Sequence, residues 1–244
     1  MADQKVIAIT GASRGIGSGL VAELASRGHI IGCLSRKGAG PEDHEVAGTL
    51  LNFPCDMENE DQIAAALNGL AEQAGRIDVL INNAGLHLEG PSAEVPTADF
   101  EKVIATNITG PFIACRQVYP HLVAQGGGLI INIGSFFDRL GAKRNAAYNC
   151  SKAAIASLTK TLAVEWARDK IRLVNLAPGF VATDLNADYM AQDSFKEFVR
   201  RRIPTGAVAS VDEVARLVAM LVAEDLPSLT GETIVIDGGQ SINQ

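Results

Sequence analysis

A doubly wound α/β fold, one domain with a parallel sheet of about seven strands and helices on both faces, is the class this sequence predicts. Three observations predict it. Short apolar runs alternate with segments whose apolar residues recur at helical spacing, the pattern of strands buried on both faces and joined by helices. A glycine-rich turn at residues 11–17 stands where the first apolar run gives way to the first helical segment. No internal repeat or Pro/Ser-rich linker divides the 244 residues, so residues 1–244 read as a single domain.

Residues 5–10 (KVIAIT) predict the first strand, closed by Gly11, and residues 15–27 the first helix, with Ile16, Leu20 and Leu24 at helical spacing. Strands follow at 29–34 and 49–53, a helix at 59–74, a strand at 77–81 and helical material from 97 to 125. The second half keeps the rhythm with a strand at 129–133, a long helix at 147–168, a strand at 172–176, a helix at 211–223 and a last strand at 233–236. Residues 178–204 break it with Gly, Asp and aromatic residues. A long irregular stretch in a compact domain reads as a functional segment, here a substrate lid over about residues 180–205.

Composition narrows the function classes. The chain carries 21 Lys plus Arg against 28 Asp plus Glu, a net charge of −7, which disfavours nonspecific binding to nucleic acid or an anionic membrane. Hydrophobic residues at 47% supply a sizeable core, yet no apolar stretch approaches the roughly 20 residues of a bilayer crossing. The opening MADQKVIAIT lacks the basic and apolar regions of a secretory signal. Cys33, Cys55, Cys115 and Cys150 are widely spaced and read as free thiols of a reducing compartment, so a cytoplasmic location is expected. The scattered histidines offer no metal site and read as ordinary surface or core residues.

Thr10-Gly11-Ala12-Ser13-Arg14-Gly15-Ile16-Gly17 lies where backbone amides and a helix dipole converge on an anion, and reads as a Rossmann-type dinucleotide turn. Gly11 permits the sharp turn, Gly15 the approach of a pyrophosphate, and Gly17 close packing of helix on strand. The same residues spell G-x-S-x-G, the nucleophile elbow of a serine hydrolase. That reading needs a late histidine, and His29, His44, His87 and His121 all fall in the first half. A ribose with free hydroxyls is normally held by a carboxylate about 20 residues past the glycines, where this chain has Ser35, Arg36 and Lys37. With Arg14 in the turn, these cations welcome a 2′-phosphate, so NADP(H) is favoured and NAD(H) remains possible.

Tyr148 and Lys152 stand four apart on the predicted long helix and share one face. An ammonium about 5 Å from the phenol, at an effective dielectric near 20, favours the phenolate by roughly 3 kcal/mol, about two pKa units downward. Ser135 follows the fifth strand, Asn82-Asn83-Ala84-Gly85 ends the fourth, and Asn107 lies in the next helix. In a doubly wound sheet these strand ends open into one crevice. T-G-x-x-x-G-I-G, N-N-A-G, the set Asn107, Ser135, Tyr148 and Lys152, Pro178-Gly179, and I-D-G-G ending at Gly239 together resemble the short-chain dehydrogenase/reductase family nearly end to end. Bacterial 3-oxoacyl-carrier-protein reductases and various alcohol and sugar dehydrogenases are the members it looks most like.

The resemblance implies roles. Tyr148 would be the general acid toward a carbonyl oxygen, Ser135 a hydrogen-bond donor to it, Lys152 a partner of both the tyrosine and the nicotinamide ribose, and Asn107 the anchor of a relay water. Gly11, Ser13, Arg14, Gly15, Ile16 and Gly17 would meet the phosphates, Ser35 and Arg36 the 2′-phosphate, Asp56 and Met57 the adenine, Asn83, Ala84 and Gly85 the adenosine side, and Pro178, Gly179 and Thr183 the nicotinamide. A nucleotide-binding protein without chemistry would be expected to lose Tyr148, Lys152 or Ser135, and all three are present.

Departures from the reductases bear on the substrate. Gly126-Gly127-Gly128 offers no cation where those enzymes tend to carry basic residues for an acidic carrier protein, although Arg200-Arg201-Arg202 follows Phe195 and Phe198 in a predicted lid helix, one face of which is expected to pack over the pocket with the arginines solvated. Phe136 and Phe137, bulkier than the residues usual after the catalytic serine, and Tyr189 in the lid are candidate substrate-binding residues. The expected substrate is a small, partly polar carbonyl compound or secondary alcohol, with 3-oxoacyl-carrier-protein reductase as the alternative. The family's usual assemblies and the small residues Ala147, Ala153, Ala154, Ala156, Ala163 and Ala167 point to a homotetramer.

Overall fold

The computed structural model describes residues 4–41, 46 and 48–243. Strands β1 (Val6–Thr10), β2 (Ile30–Ser35), β3 (Thr49–Pro54), β4 (Val79–Asn82), β5 (Gly128–Ile133) and β6 (Ile171–Pro178), with β9 (Thr233–Ile236), form one parallel sheet of seven strands in the order β3-β2-β1-β4-β5-β6-β9. A separate two-residue pairing joins β7 (Val181–Ala182) to β8 (Ala209–Ser210). The fold is the single doubly wound α/β domain that the alternating pattern predicts, with strand ends within two residues of those expected.

Side chains along β1 alternate between two cores because successive Cβ atoms point to opposite faces of a strand. Ile7 and Ile9 enter the core with Leu20 and Leu24 of α1 (Gly15–Ser26) and Val214 and Val218 of α8 (Val211–Ala223). Val6 and Ala8 enter the other, with Ile63, Leu67 and Leu70 of α2 (Glu60–Ala74) and Val118 and Leu122 of α4 (Gly110–Ala124). Both faces are therefore covered, which is why the strands read as continuous apolar runs. The helix ends carry local stop and start signals. Asn59 caps α2 by accepting from the Gln62 N–H at 3.0 Å, Gly75 ends it in the left-handed region, and Ser210 and Glu213 form a reciprocal capping box on α8.

Two stretches differ from the expectation. The helical run from 97 to 125 is α3 (Thr97–Ile104), a wide π turn over Ala105–Thr109, and then α4. Pro111 has no N–H to give the Asn107 carbonyl four residues back, so the α ladder cannot run through, and the Gly110 N–H bonds Ala105 instead. Residues 178–204, expected as irregular apart from a lid helix carrying Phe195, Phe198 and the three arginines, hold that helix as α7 (Asp193–Arg202) and, besides it, β7, a 3₁₀ turn at Asp184–Asn186 and α6 (Ala187–Ala191). The side chains of Thr183 and Asn186 cap this segment reciprocally, and Phe195 gives α7 a buried face while its three terminal arginines are exposed. Among the described residues, no helix is long and apolar enough to cross a membrane.

Candidate active site

The order of strands reverses between β1 and β4, and the crevice at such a reversal is where an open α/β sheet binds ligands. Two turns meet there. The Thr10 hydroxyl accepts from the Asn83 and Ala84 N–H groups at 3.0 and 3.1 Å, and the Asn83 amide donates to the Thr10 and Gly11 carbonyls at 3.0 and 3.1 Å. Gly11 has φ +66°, and a Cβ there would come within 2.8 Å of the Ala84 Cα. A Cβ on Gly17 would lie 2.0 Å from the Gly11 carbonyl oxygen, so the tight turn requires glycine at both positions. Arg14, extended and exposed at the N-cap of α1, makes no side-chain cap. No side chain of the N-cap thus occupies the first-turn amides, which suit an anion. Ser13 and Ile16 are half-buried beside it, and a cavity of about 410 Å³ lined by Gly15, Ser18, Thr183 and Asp212 opens at this end of α1.

At the end of β2 the Ser35 side chain is buried and bonds both the Ala39 carbonyl, at 2.7 Å, and the Ala39 N–H, at 2.9 Å. Arg36 and Lys37 beyond it are exposed. Past β3, Asp56 is half-buried and accepts from the Glu58 N–H at 3.0 Å, whereas the Met57 side chain lies in the core under Gly110. What Met57 offers a ligand is therefore its backbone.

Four other predicted residues come together across β4, β5, the π turn and α5 (Ala146–Trp166). Asn107 is buried, and its amide is fully used: the oxygen accepts from the Leu86 N–H at 2.7 Å, and the nitrogen donates to the Leu86 carbonyl at 2.9 Å and the Ser151 hydroxyl at 3.0 Å. Ser151 donates in turn to the Tyr148 carbonyl at 2.7 Å. Ser135 is buried just past the end of β5, where its hydroxyl accepts from the Phe137 N–H at 3.3 Å and lies close enough to Tyr148 to favour the phenolate. Lys152 Nζ lies 5.4 Å from the centre of the Tyr148 ring and donates to the Ile133 carbonyl at 2.8 Å.

The electrostatics of this pair differ from the expectation. The lysine was expected to draw the phenol down. Burial instead pushes Tyr148 up to about 12, against a smaller downward pull from the neighbouring Ser135 hydroxyl, and pushes Lys152 down to about 8. Desolvation penalises the charged form of each, which is why the phenol moves up and the ammonium down.

Rings close the site on one side. Phe137 meets the Tyr148 ring edge-on at 6.1 Å between centroids, and Phe180 lies edge-on to Phe137, Phe195 and Phe198 at 6.3, 5.3 and 5.7 Å. Phe136 is 2% exposed and stacks behind Phe137 at 4.4 Å, so it supports that wall from within. Tyr189 is exposed on α6 with its ring 4.8 Å from Phe195. Among the described residues, no group of three or more His, Cys, Asp or Glu side chains could hold a metal ion.

A family model described as enoyl-(acyl carrier protein) reductase matches residues 11–241. The chain belongs to the short-chain dehydrogenase/reductase family. A human 3-oxoacyl-[acyl-carrier-protein] reductase is 33% identical over 237 residues, covering 96% of this chain and 97% of that protein. A gluconate 5-dehydrogenase from Burkholderia cenocepacia, solved with NADP and tartrate, superposes with a TM-score of 0.89 at 29% identity, over 99% of this chain and 97% of the other. A 3-ketoacyl-(acyl-carrier-protein) reductase from Brucella melitensis, solved with NADH, gives 0.86 at 29% identity, over 97% and 98%.

In this short-chain dehydrogenase/reductase the sequence reading passed over one residue beside Tyr148. His87, two residues past the N-N-A-G turn, has its ring centroid 4.6 Å from that of Tyr148. His29 and His121 lie elsewhere, against Lys5 and Asn68, and His44 is outside the described residues. Proximity of His87 to the N-N-A-G motif was the available signal, since that turn ends a strand at the crevice.

Proposed function

We propose that this protein transfers a hydride between NADP(H) and a free small carbonyl compound or secondary alcohol, with Tyr148 as general acid and base. The observation that carries the reading is the convergence of buried Ser135 and Lys152 on Tyr148, with Lys152 Nζ 5.4 Å from the phenol ring, in a chain whose first strand ends in a glycine cradle. The cradle fits a dinucleotide, because a Cβ at Gly11 or Gly17 would fill the space the turn leaves and the first amides of α1 face an anion site. When bound, the nicotinamide supplies or accepts the hydride.

The residues divide the remaining work. Ser135 and Tyr148 hold the carbonyl oxygen, and Tyr148 passes it a proton as it gains charge. Lys152 uses one hydrogen on Ile133, which leaves the others for the nicotinamide ribose and the proton path. The amide of Asn107 is engaged, so holding a relay water falls to its backbone carbonyl, from which Pro111 withholds the usual donor. Gly11, Ser13, Arg14, Gly15, Ile16 and Gly17 take the phosphates, the Asp56 side chain and the Met57 backbone the adenine, Asn83, Ala84 and Gly85 the adenosine side, and Pro178, Gly179 and Thr183 the nicotinamide. NADP(H) is preferred because Ser35 stands where a carboxylate would hold a free ribose, with Arg14 and Arg36 exposed nearby.

The relatives named as 3-oxoacyl-carrier-protein reductases favour a second reading, in which the carbonyl is an acyl chain on a carrier protein. The deciding measurement for the reaction is oxidation of NADPH and NADH against a panel of free ketones and aldehydes. Turnover with a higher kcat/KM for NADPH is expected. Equal values for the two nucleotides would remove the cofactor preference, and no turnover on any carbonyl would remove the reaction.

A homotetramer in a reducing cytoplasm completes the reading. Ala147, Ala156 and Ala163 are buried in this chain's own core, so the face of α5 left for a partner runs through Ala153, Ser157 and Val164, the last 83% exposed. The free cysteines support the compartment, since Cys33, Cys55 and Cys115 are buried and pushed up to about 12 by desolvation.

A further inference from the structure

We propose, resting on the reductase reading above, that His87 selects substrates carrying a hydroxyl on the carbon next to the carbonyl, and that the preferred class is the α-hydroxy ketone and, in the oxidative direction, the vicinal diol. Three features lead there. The His87 ring packs against the Tyr148 ring at 4.6 Å between centroids while staying exposed on its other side. It thus stands beside the phenol ring and remains open to a ligand.

Its orientation is fixed by a partner that uses only one of its two nitrogens. His87 Nε2 bonds the side-chain oxygen of Asn145. The Asn145 amide cannot be turned around, because its nitrogen donates to the Lys143 carbonyl at 2.8 Å. An amide oxygen only accepts, so Nε2 carries the hydrogen, and the tautomer this bond selects has Nδ1 as its acceptor. No described residue bonds Nδ1. A substrate hydroxyl is a group that can.

Asn145 supplies the third feature. It sits at the N-cap of α5, where an Asn side chain ordinarily accepts from an amide of the first turn, and here it makes no such bond. Its oxygen faces His87 instead. The two loops are also tied to each other, since the Gly90 N–H donates to the Arg144 carbonyl at 2.9 Å and Arg144 lies 3.8 Å from Glu89. The imidazole is thereby held by both strand-end loops rather than left to rotate. Phe137, edge-on to the same phenol, offers the contrasting apolar wall for the carbonyl's other substituent.

The test uses the full-length protein with NADPH and two matched pairs of free ketones: 1-phenylethanone with 2-hydroxy-1-phenylethanone, and butan-2-one with 1-hydroxybutan-2-one. Within each pair the hydroxylated ketone should show a kcat/KM about tenfold higher in the wild type, near the upper size expected for one hydrogen bond gained in exchange for water. His87→Leu should bring that ratio to about one, and His87→Gln, whose amide oxygen still accepts, should restore part of it. NADPH binding followed by fluorescence in each variant establishes that the fold is retained. A wild type without hydroxyl preference, or a ratio above about threefold surviving in His87→Leu, overturns the proposal while leaving the reductase reading intact. Failure to turn over any of the four ketones overturns both.

Discussion

The Tyr148 hydroxyl and the Lys152 ammonium are separated by burial as much as joined by proximity, and each half of that statement has a consequence. Tyr148→Phe removes one oxygen and leaves the ring contacts with His87 and Phe137 in place. Under the proposed mechanism kcat falls about 100-fold or more while the nucleotide still binds. A variant that keeps over half the wild-type kcat, with chemistry rate-limiting, would show that another group carries the proton. Lys152, held at about 8 in the folded chain against 10.5 when free, gives up its proton earlier than the unfolded chain does. Between those values the unfolded state binds more protons, so the stability contribution of this residue rises with pH through the window. Above pH 10 the sign reverses, because folded Tyr148 keeps to about 12 a proton that it loses at 10 when unfolded. Urea titrations of wild type and Lys152→Met from about pH 7 to 10 test this: the variant's advantage should shrink as pH rises, and a constant gap would contradict it. The spacing of the two residues is legible in the sequence because a helix turns a four-residue interval into one face. Their pKa directions are not, since the burial comes from groups outside the helix, Ile133 against Lys152 and His87 and Phe137 against Tyr148. His87 escaped for the same reason, its meaning lying wholly in a tyrosine about 60 residues away.

Among the elements, β1 and α1 are fixed by the turn between them, and Gly17 is its tightest point. Gly17→Ala sets a Cβ 2.0 Å from the Gly11 carbonyl oxygen and 2.7 Å from the Asn83 amide nitrogen, so α1 must shift or the Asn83 bridge to β4 must open. The expected result is at least tenfold weaker NADPH binding by titration calorimetry, with a lowered thermal midpoint. Unchanged affinity would mean that the cradle does not hold the dinucleotide. Helices with apolar spacing and cap residues, such as α2 and α8, could be read to within a residue or two. The π turn at Asn107 could not, although Pro111 is visible in the sequence. A proline is tolerated at the start of a helix and disruptive within one, and only the packing decides which applies. In the lid, α7 was legible from Phe195, Phe198 and the arginines that follow, whereas the 3₁₀ turn and α6 escaped because Gly179 and Asp184 read as breakers, and the ring contacts of Phe180 with Phe195 and Phe198 that hold α7 down are tertiary.

For the whole molecule, a net charge of −7 repels an acidic partner unless a local patch offsets it. The exposed arginines at the end of α7 are the candidate patch, but Arg200 and Arg201 are both paired with Glu197. Acetoacetyl groups on a carrier protein should therefore not exceed the best free ketone in kcat/KM by more than tenfold. If they exceed every free compound by that margin, the carrier-protein reading takes over. The sheet itself was readable from seven apolar runs, whereas their spatial order was not, because β1 pairs with β4 about 70 residues away and β6 with β9 about 60 away. That last pairing bears on how the molecule is made. During synthesis β9 leaves the ribosome after every other strand, and until it docks, β6 is a bare sheet edge from Asn175 to Pro178. Asn175 meanwhile lacks the Thr233 hydroxyl to which its amide donates at 3.1 Å, so a buried polar group waits for β9. The nascent chain is thus most prone to pair with a neighbour in the interval between translating β6 and β9, and slowing elongation there should cost more soluble protein than slowing it anywhere earlier.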